Sequence, residues 1–316
     1  MYLLVLEHIE IQYAKKQNSV IKECRSTNVI ENIVREQMPD ILDILLIDRT
    51  TSTSRTKKNI IWANENYIKY GGMAYVATEP IKPGLLAGRM KKIIIPRALK
   101  SPELQKERTK SKAEVFTPTW LVKKQNDEVE QNYLDDDLET YVKRKWLEMA
   151  CGEAPYMATR YDMETGKVVP LAERAGFVDR KLKRINEEVY DKAEWQRLVE
   201  EAYKASYGFE WNGDSLLIAR ENLLYTYYDY YFAKWSESPL HGLFEDIAKI
   251  ISYNVFQMDG LKCIIPFTEK RERIVEYQMS LFDDEPEEQW IVKTGKRVKV
   301  MNWEMNRMEF FDKGVK

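Results

Sequence analysis

Ile, Val and Met recur at helical spacing over residues 20–38, which predicts an amphipathic helix there. The short apolar run at 41–47 suits a strand, and 59–63 and 92–96 are further strand candidates. Residues 50–58 read as a polar, basic loop, and Glu79-Pro80-Ile81-Lys82-Pro83-Gly84 as a turn. The stretch 99–113 is highly charged, with a basic excess from Lys100, Lys106, Arg108, Lys110 and Lys112. It predicts a solvated helix linking two parts of the chain, or else a surface near nucleic-acid phosphate.

Beyond residue 113 the alternation becomes more regular. Phe116-Thr117-Pro118-Thr119 opens a helix through Leu121 and Val122, and 146–150 is a strand candidate running into Cys151-Gly152. A polar excursion at 162–174 precedes helical residues over 180–207. Next come a short segment at 207–211, a long aromatic helix at 214–232 and another helix at 243–251. A strand pair at 254–258 and 262–266 and a last strand at 297–303 complete the pattern. Strand and helix in alternation predict an α/β fold with a doubly wound, largely parallel sheet. The expected division is an accessory α/β domain at 1–112 and a second domain at 113–316.

Composition narrows the function classes. With 44% hydrophobic residues in 316, the chain can build one large or two modest cores. Its formal net charge is −2, so any DNA-binding surface is local or supplied by a partner. Cys24, Cys151 and Cys263 are too scattered for a disulfide framework, and His8 and His241 with no CxxC pair argue against a metal site. Residues 1–11 are apolar at first but carry Glu7 and Glu10, with no basic leader, so no signal or membrane span is expected. A cytoplasmic setting fits these features.

Four segments carry the candidate chemistry. Ala113-Glu114-Val115-Phe116-Thr117-Pro118 is a turn, equally readable as a helix start with Pro near its first position. Glu148-Met149-Ala150-Cys151-Gly152-Glu153-Ala154-Pro155-Tyr156 joins an acidic strand end to small residues that let backbone pass close beneath a ligand. Tyr207-Gly208-Phe209-Glu210-Trp211-Asn212, followed by Ala219-Arg220-Glu221-Asn222-Leu223, sets a carboxylate at a strand end before a helix. Asn254-Val255-Phe256-Gln257-Met258-Asp259-Gly260 ends a third strand in an Asp-Gly turn.

In this order the four segments resemble the cofactor motifs of the N6-adenine DNA methyltransferases. That resemblance implies a Rossmann-like class I core that binds S-adenosyl-L-methionine. It implies that Thr117 donates to the cofactor carboxylate and that Phe116 packs on the sulfonium region. Glu148 would face the ammonium, with Ala150, Cys151, Gly152 and Pro155 forming the loop beneath. Glu210 would accept the ribose hydroxyls, Trp211 would lie on the adenine, Met258 would wall it, and Asp259 would accept its exocyclic amine. The chain departs from the family at Met149, where proline is usual, and at Ala154, where glycine is usual.

The family's catalytic (D/N/S)PP(Y/F/W) loop has no counterpart, since the sequence contains no Pro-Pro pair. The region where it is expected reads Lys296-Arg297-Val298-Lys299-Val300-Met301-Asn302-Trp303. The resemblance therefore points to a split enzyme with no catalytic residue of its own. A partner subunit would bring an Asn-Pro-Pro-Tyr loop and target recognition, and double-stranded DNA would be met through the complex. Three alternatives stand beside it: a self-sufficient enzyme using Asn254-Val255-Phe256, a non-catalytic cofactor-binding scaffold, and a nuclease built on Asp40, Asp43, Asp48 and Lys57. The aromatic run at 224–232 is expected to be buried, since its rings point all around a helix. The acidic stretch at 276–289 is expected to be a loop that repels DNA or meets a basic partner.

Overall fold

The computed structural model describes residues 33–87, 93–112, 117–274 and 289–314. Residues 1–32, the 113–116 turn with Phe116, and the acidic residues 276–288 lie outside the described residues.

Two short helices, α1 (Ile33–Gln37) and α2 (Pro39–Leu46), open the described chain. The strand expected at 41–47 is thus corrected to a helix. Pro39 occupies the start of α2, where a missing N–H costs nothing, and Ile41, Leu42, Leu45 and Leu46 turn into the core. So short an apolar run does not separate the two periodicities. Residues 59–63 make isolated bridges, Ile47 to Asn59 and Ile61 to Pro80, and 93–96 is irregular. The charged stretch becomes α3 (Pro102–Lys112), followed by α4 (Thr119–Glu130) and α5 (Leu138–Lys143).

The central elements are β1 (Trp146–Glu148), α6 (Phe177–Glu188), α7 (Lys192–Lys204) and β2 (Ser206–Glu210). Asp191 separates the two helices by capping α7, its carboxylate accepting from Glu194 N at 2.8 Å. Then come α8 (Gly213–Trp235), α9 (His241–Asn254) and β3 (Val255–Gln257). The strand expected at 262–266 is only bridged, to Asp259 and Arg297. Cys263 and Phe267 adopt φ of 55° and 59°, which breaks an extended run. Two antiparallel pairs close the chain, β4 (Lys270–Ile274) with β5 (Gln289–Lys293) and β6 (Lys299–Asn302) with β7 (Arg307–Phe310), before α10 (Phe311–Gly314).

β1, β2 and β3 form one parallel sheet in that order, with Glu148 opposite Gly208 and Glu210 opposite Gln257. Each step between strands is made through two helices, so the carboxyl ends of all three strands open on one edge. In sheets of this kind ligands bind at that edge. Successive strand residues face opposite ways. Val255 joins the main core built by α6–α9, whereas Phe209 and Phe256 join a smaller cluster with Met258, Ile265 and Val298. Val300 and Phe311 cover that second face. The class is α/β with a small parallel sheet.

Helix α8 lies at the centre of the main core. Tyr225, Tyr227, Tyr228, Tyr230 and Tyr231 are all buried, so the aromatic run packs inward on every side. The N-terminal helices share this core. Arg220, wholly buried, donates to the carbonyls of Leu45, Ile47, Ser252 and Val255. Glu221 pairs with Arg35, Nε to Oε1 at 2.7 Å and Nη2 to Oε2 at 2.5 Å. Asn222 donates to Glu153 O and to the Tyr161 hydroxyl, both at 3.0 Å. The polar letters of Ala-Arg-Glu-Asn-Leu therefore tie α8 to α1, α2 and the loop after β1. No helix among the described residues is long and apolar enough to cross a membrane.

Candidate functional site

The loop leaving β1 owes its shape to alternating backbone handedness. Ala150, Gly152 and Ala154 have φ of 49°, 55° and 61°, with ordinary residues between them. Ala154, where the resembled family has glycine, thus holds the left-handed conformation that glycine takes most readily. Glu148 stabilises the following turn, its carboxylate accepting from Tyr156 N at 3.2 Å and Met157 N at 3.0 Å. Cys151 N donates to Phe209 O at 2.8 Å and lays the loop across the end of β2. Gly208 permits that approach, because a Cβ there would lie 3.0 Å from Met157 Sδ and 3.4 Å from Cys151 Sγ.

Glu210 ends β2 and joins the two strand ends. One oxygen accepts from Gly152 N at 2.8 Å; the other accepts from Asn212 N at 2.9 Å and Asn212 Nδ2 at 3.1 Å. Trp211 next to it is fixed by its indole N–H, which donates to Ala63 O at 2.9 Å. Ala63 belongs to the bridged segment that lies against the start of α8. Gly213 N donates to Trp62 O, and a Cβ at Gly213 would stand 2.0 Å from Ile61 O. Asn64 and Tyr67 add hydrogen bonds to Asp214 at 2.9 and 2.6 Å.

These elements enclose a cleft of about 700 Å³ at the carboxyl edge of the sheet. Eight of the expected residues line it: Thr117, Glu148, Ala150, Cys151, Gly152, Pro155, Glu210 and Trp211. Met258 and Asp259 are not among its lining residues. Met258 is buried in the second cluster, and Asp259 Oδ1 accepts from Leu261 N and Lys262 N at 3.0 and 3.1 Å, closing its own turn. Phe116 lies outside the described residues. Ala63, Arg97, Tyr156 and Asn212 also line the cleft and escaped the sequence reading. Only Tyr156 and Asn212 stood inside a motif; the wall from 63 and 97 carries no local signal.

The cleft is rich in carboxyl groups removed from water. Burial, with Glu210 adding like charge, pushes the Glu148 carboxyl up to about 8. Burial likewise raises Glu210 and Glu153. Glu153 accepts from Arg97 N and the Tyr161 hydroxyl, both at 2.7 Å. Such a lining opposes phosphates, and the Gly152 amide that a phosphate would seek is already held by Glu210. It suits a ligand that offers hydroxyl or ammonium donors and a flat ring for Trp211.

The acids considered for a nuclease do not gather. Asp40 bonds His241 at 2.6 Å, Asp43 is exposed on α2, and Asp48 is buried, accepting from Thr50 N at 3.0 Å and from the Thr51 hydroxyl. Among the described residues no group of three or more His, Cys, Asp or Glu side chains is placed to hold a metal ion. A comparison with family models, with curated proteins and with solved structures returns no match.

Proposed function

We propose that this chain is the S-adenosyl-L-methionine-binding subunit of a split adenine-N6 DNA methyltransferase in a restriction–modification setting, working in the cytoplasm. One observation carries the reading: eight motif residues from three separated stretches of sequence meet in one cleft at the carboxyl edge of a parallel sheet. The order β1-β2-β3, with an acid closing each of the first two strands, is what the cofactor half of a Rossmann-like sheet requires.

In this reading Glu210 accepts ribose hydroxyls, and its oxygen bonded only to Gly152 has a lone pair to spare. Glu148 faces the ammonium, Trp211 the adenine, and Thr117 the carboxylate. The bound cofactor supplies the methyl group. The residues of this chain bind and orient it, and the amine-accepting loop comes from the partner.

Two features support a partner. The sequence has no Pro-Pro pair, and β1 pairs on one side only among the described residues, with Leu147 and Met149 exposed beside the cleft. The alternative loop Asn254-Val255-Phe256 is otherwise engaged. The Asn254 amide donates to the carbonyls of Tyr203, Lys204 and Ser206, and Phe256 is buried.

Calorimetric titration with S-adenosyl-L-methionine tests the central claim, with saturable binding expected. Binding that stays absent even with partner and DNA present would remove it. Methyl transfer to DNA by the chain alone would refute the split while leaving the cofactor site intact.

A further inference from the structure

A second groove, of about 610 Å³, lies beside the cleft and has the opposite electrical character. Lys57 and Lys58 from the 50–58 loop, Lys82 from the following turn and Lys296 from the C-terminal part converge on it. All four are exposed, and none is in an ion pair among the described residues. Asp48 is the one acid in the lining, and its carboxylate is buried against the Thr50 amide and the Thr51 hydroxyl. In a chain of net charge −2 this is a local concentration of positive charge. Like charges gathered from three separate segments repel one another, so the groove is complementary to a polyanion.

An aromatic ring stands where groove and cleft meet. Phe267, 51% exposed, lines the groove, and its ring lies 5.4 Å edge-on from Trp211, which lines the cleft. Phe267 is held with φ 59°, a costly conformation for an aromatic residue. An exposed ring bordering spaced ammonium groups fits a strand that repeats phosphates and carries bases able to stack. An acidic peptide offers charge without a flat ring at every charged repeat, as a nucleic acid has.

We infer that this groove is the surface on which the phosphate backbone of duplex DNA lies, with Phe267 as the base-facing edge between the DNA and the cofactor cleft. The inference deepens the proposed function by naming the face of the chain that meets DNA. A base swung out of the duplex past Phe267 would arrive beside Trp211.

The test is fluorescence anisotropy of a labelled duplex with the full chain, from 20 to 200 mM salt, for the natural protein and for a K57Q/K58Q/K82Q/K296Q variant. Each phosphate contact contributes about 0.9 to the slope of log affinity against log salt, so the variant should lose a slope of about 3 to 4 and at least tenfold in affinity at 50 mM salt. Phe267→Ala should weaken binding to a duplex with one unpaired base more than to a fully paired one. No duplex binding by the natural chain at 20 mM salt, or an unchanged slope in a folded variant, overturns the inference. So does polyglutamate that competes as well as DNA at equal charge. Cofactor titration on the same variant keeps the two readings apart, since loss of DNA with cofactor retained supports both. A salt slope lost in a chain that never binds cofactor leaves the groove standing and the cofactor reading refuted.

Discussion

The Glu210 carboxylate accepts the amide of Gly152 at 2.8 Å across 58 positions of sequence. A residue expected to meet ligand is thus also the clasp that holds the β1 loop over the end of β2. Glu210→Ala should weaken S-adenosyl-L-methionine binding at least tenfold. It should also lower stability by about 1–3 kcal/mol, the usual loss when a buried amide is orphaned. Titration calorimetry and thermal unfolding of one preparation separate the effects, and full affinity in the destabilised variant would refute the ribose assignment.

Glu148 sets a dependence on pH. Its folded-state carboxyl is raised to about 8 from an ordinary 4.5, so the folded protein holds that proton more tightly than the unfolded chain does. Its contribution therefore favours folding most below about 4.5 and is lost as pH rises toward 8. Glu148→Gln should flatten this decline, which between pH 5.5 and 8 amounts to about 3 kcal/mol at about 1.4 kcal/mol per pKa unit, while lowering stability at both pH values because its amide offers one acceptor where Tyr156 N and Met157 N use two. Chemical denaturation at pH 5.5 and 8 measures it; parallel changes in the two proteins would contradict the assignment.

The same carboxyl predicts proton release on binding. An ammonium placed against Glu148 favours its ionised form, so cofactor affinity should increase from pH 6 to 8. The apparent binding enthalpy should vary with the ionisation enthalpy of the buffer. Identical enthalpies in phosphate and Tris would argue against an ammonium at this residue.

Gly213 sits under the Ile61 carbonyl with no room for a methyl group, a Cβ standing 2.0 Å from that backbone oxygen. Gly213→Ala must push the 59–64 segment away from α8, and Ala63 is both a wall of the cleft and the acceptor for Trp211. Destabilisation by about 2 kcal/mol or more is expected, in the range of overpacked sites, together with weaker cofactor binding. Ligand affinity unchanged in the variant would mean that Trp211 does not need this anchor.

Glu221→Ala leaves the Arg35 guanidinium in the core without its carboxylate. Such a loss costs about 3–5 kcal/mol, although an apolar replacement of both residues can be neutral. Denaturant titration should show the single change far more damaging than a packed Arg35→Met, Glu221→Leu pair. Equal damage would show that the ion pair itself is needed.

The sequence made the cleft legible where its residues sit in contiguous runs. The stretch from Glu148 to Pro155 and the pair Glu210-Trp211 state their chemistry in adjacent letters, because a strand end and the loop after it are local structures. Ala63 and Arg97 reach the same cleft through tertiary packing and leave no local trace. The apolar run at 41–47 misled because two turns of a buried helix and a buried strand read alike. Asp259 stands outside the cleft lining, its Oδ1 closing the Asp-Gly turn, and the letters of such a turn are the same as those expected of a ligand contact.

Helix α8 has buried side chains on every side, covered by α2 from before the charged stretch and by α6 and α9 from after it. An element with no wet face cannot mark a boundary between parts that fold separately. A fragment beginning at residue 113 would strip Arg220, Glu221 and Tyr225 of the partners that α1 and α2 now give them, and would surrender the Ala63 wall as well. The cleft is therefore walled jointly by residues from both sides of the charged 99–113 stretch, and a cut there would open it rather than isolate it.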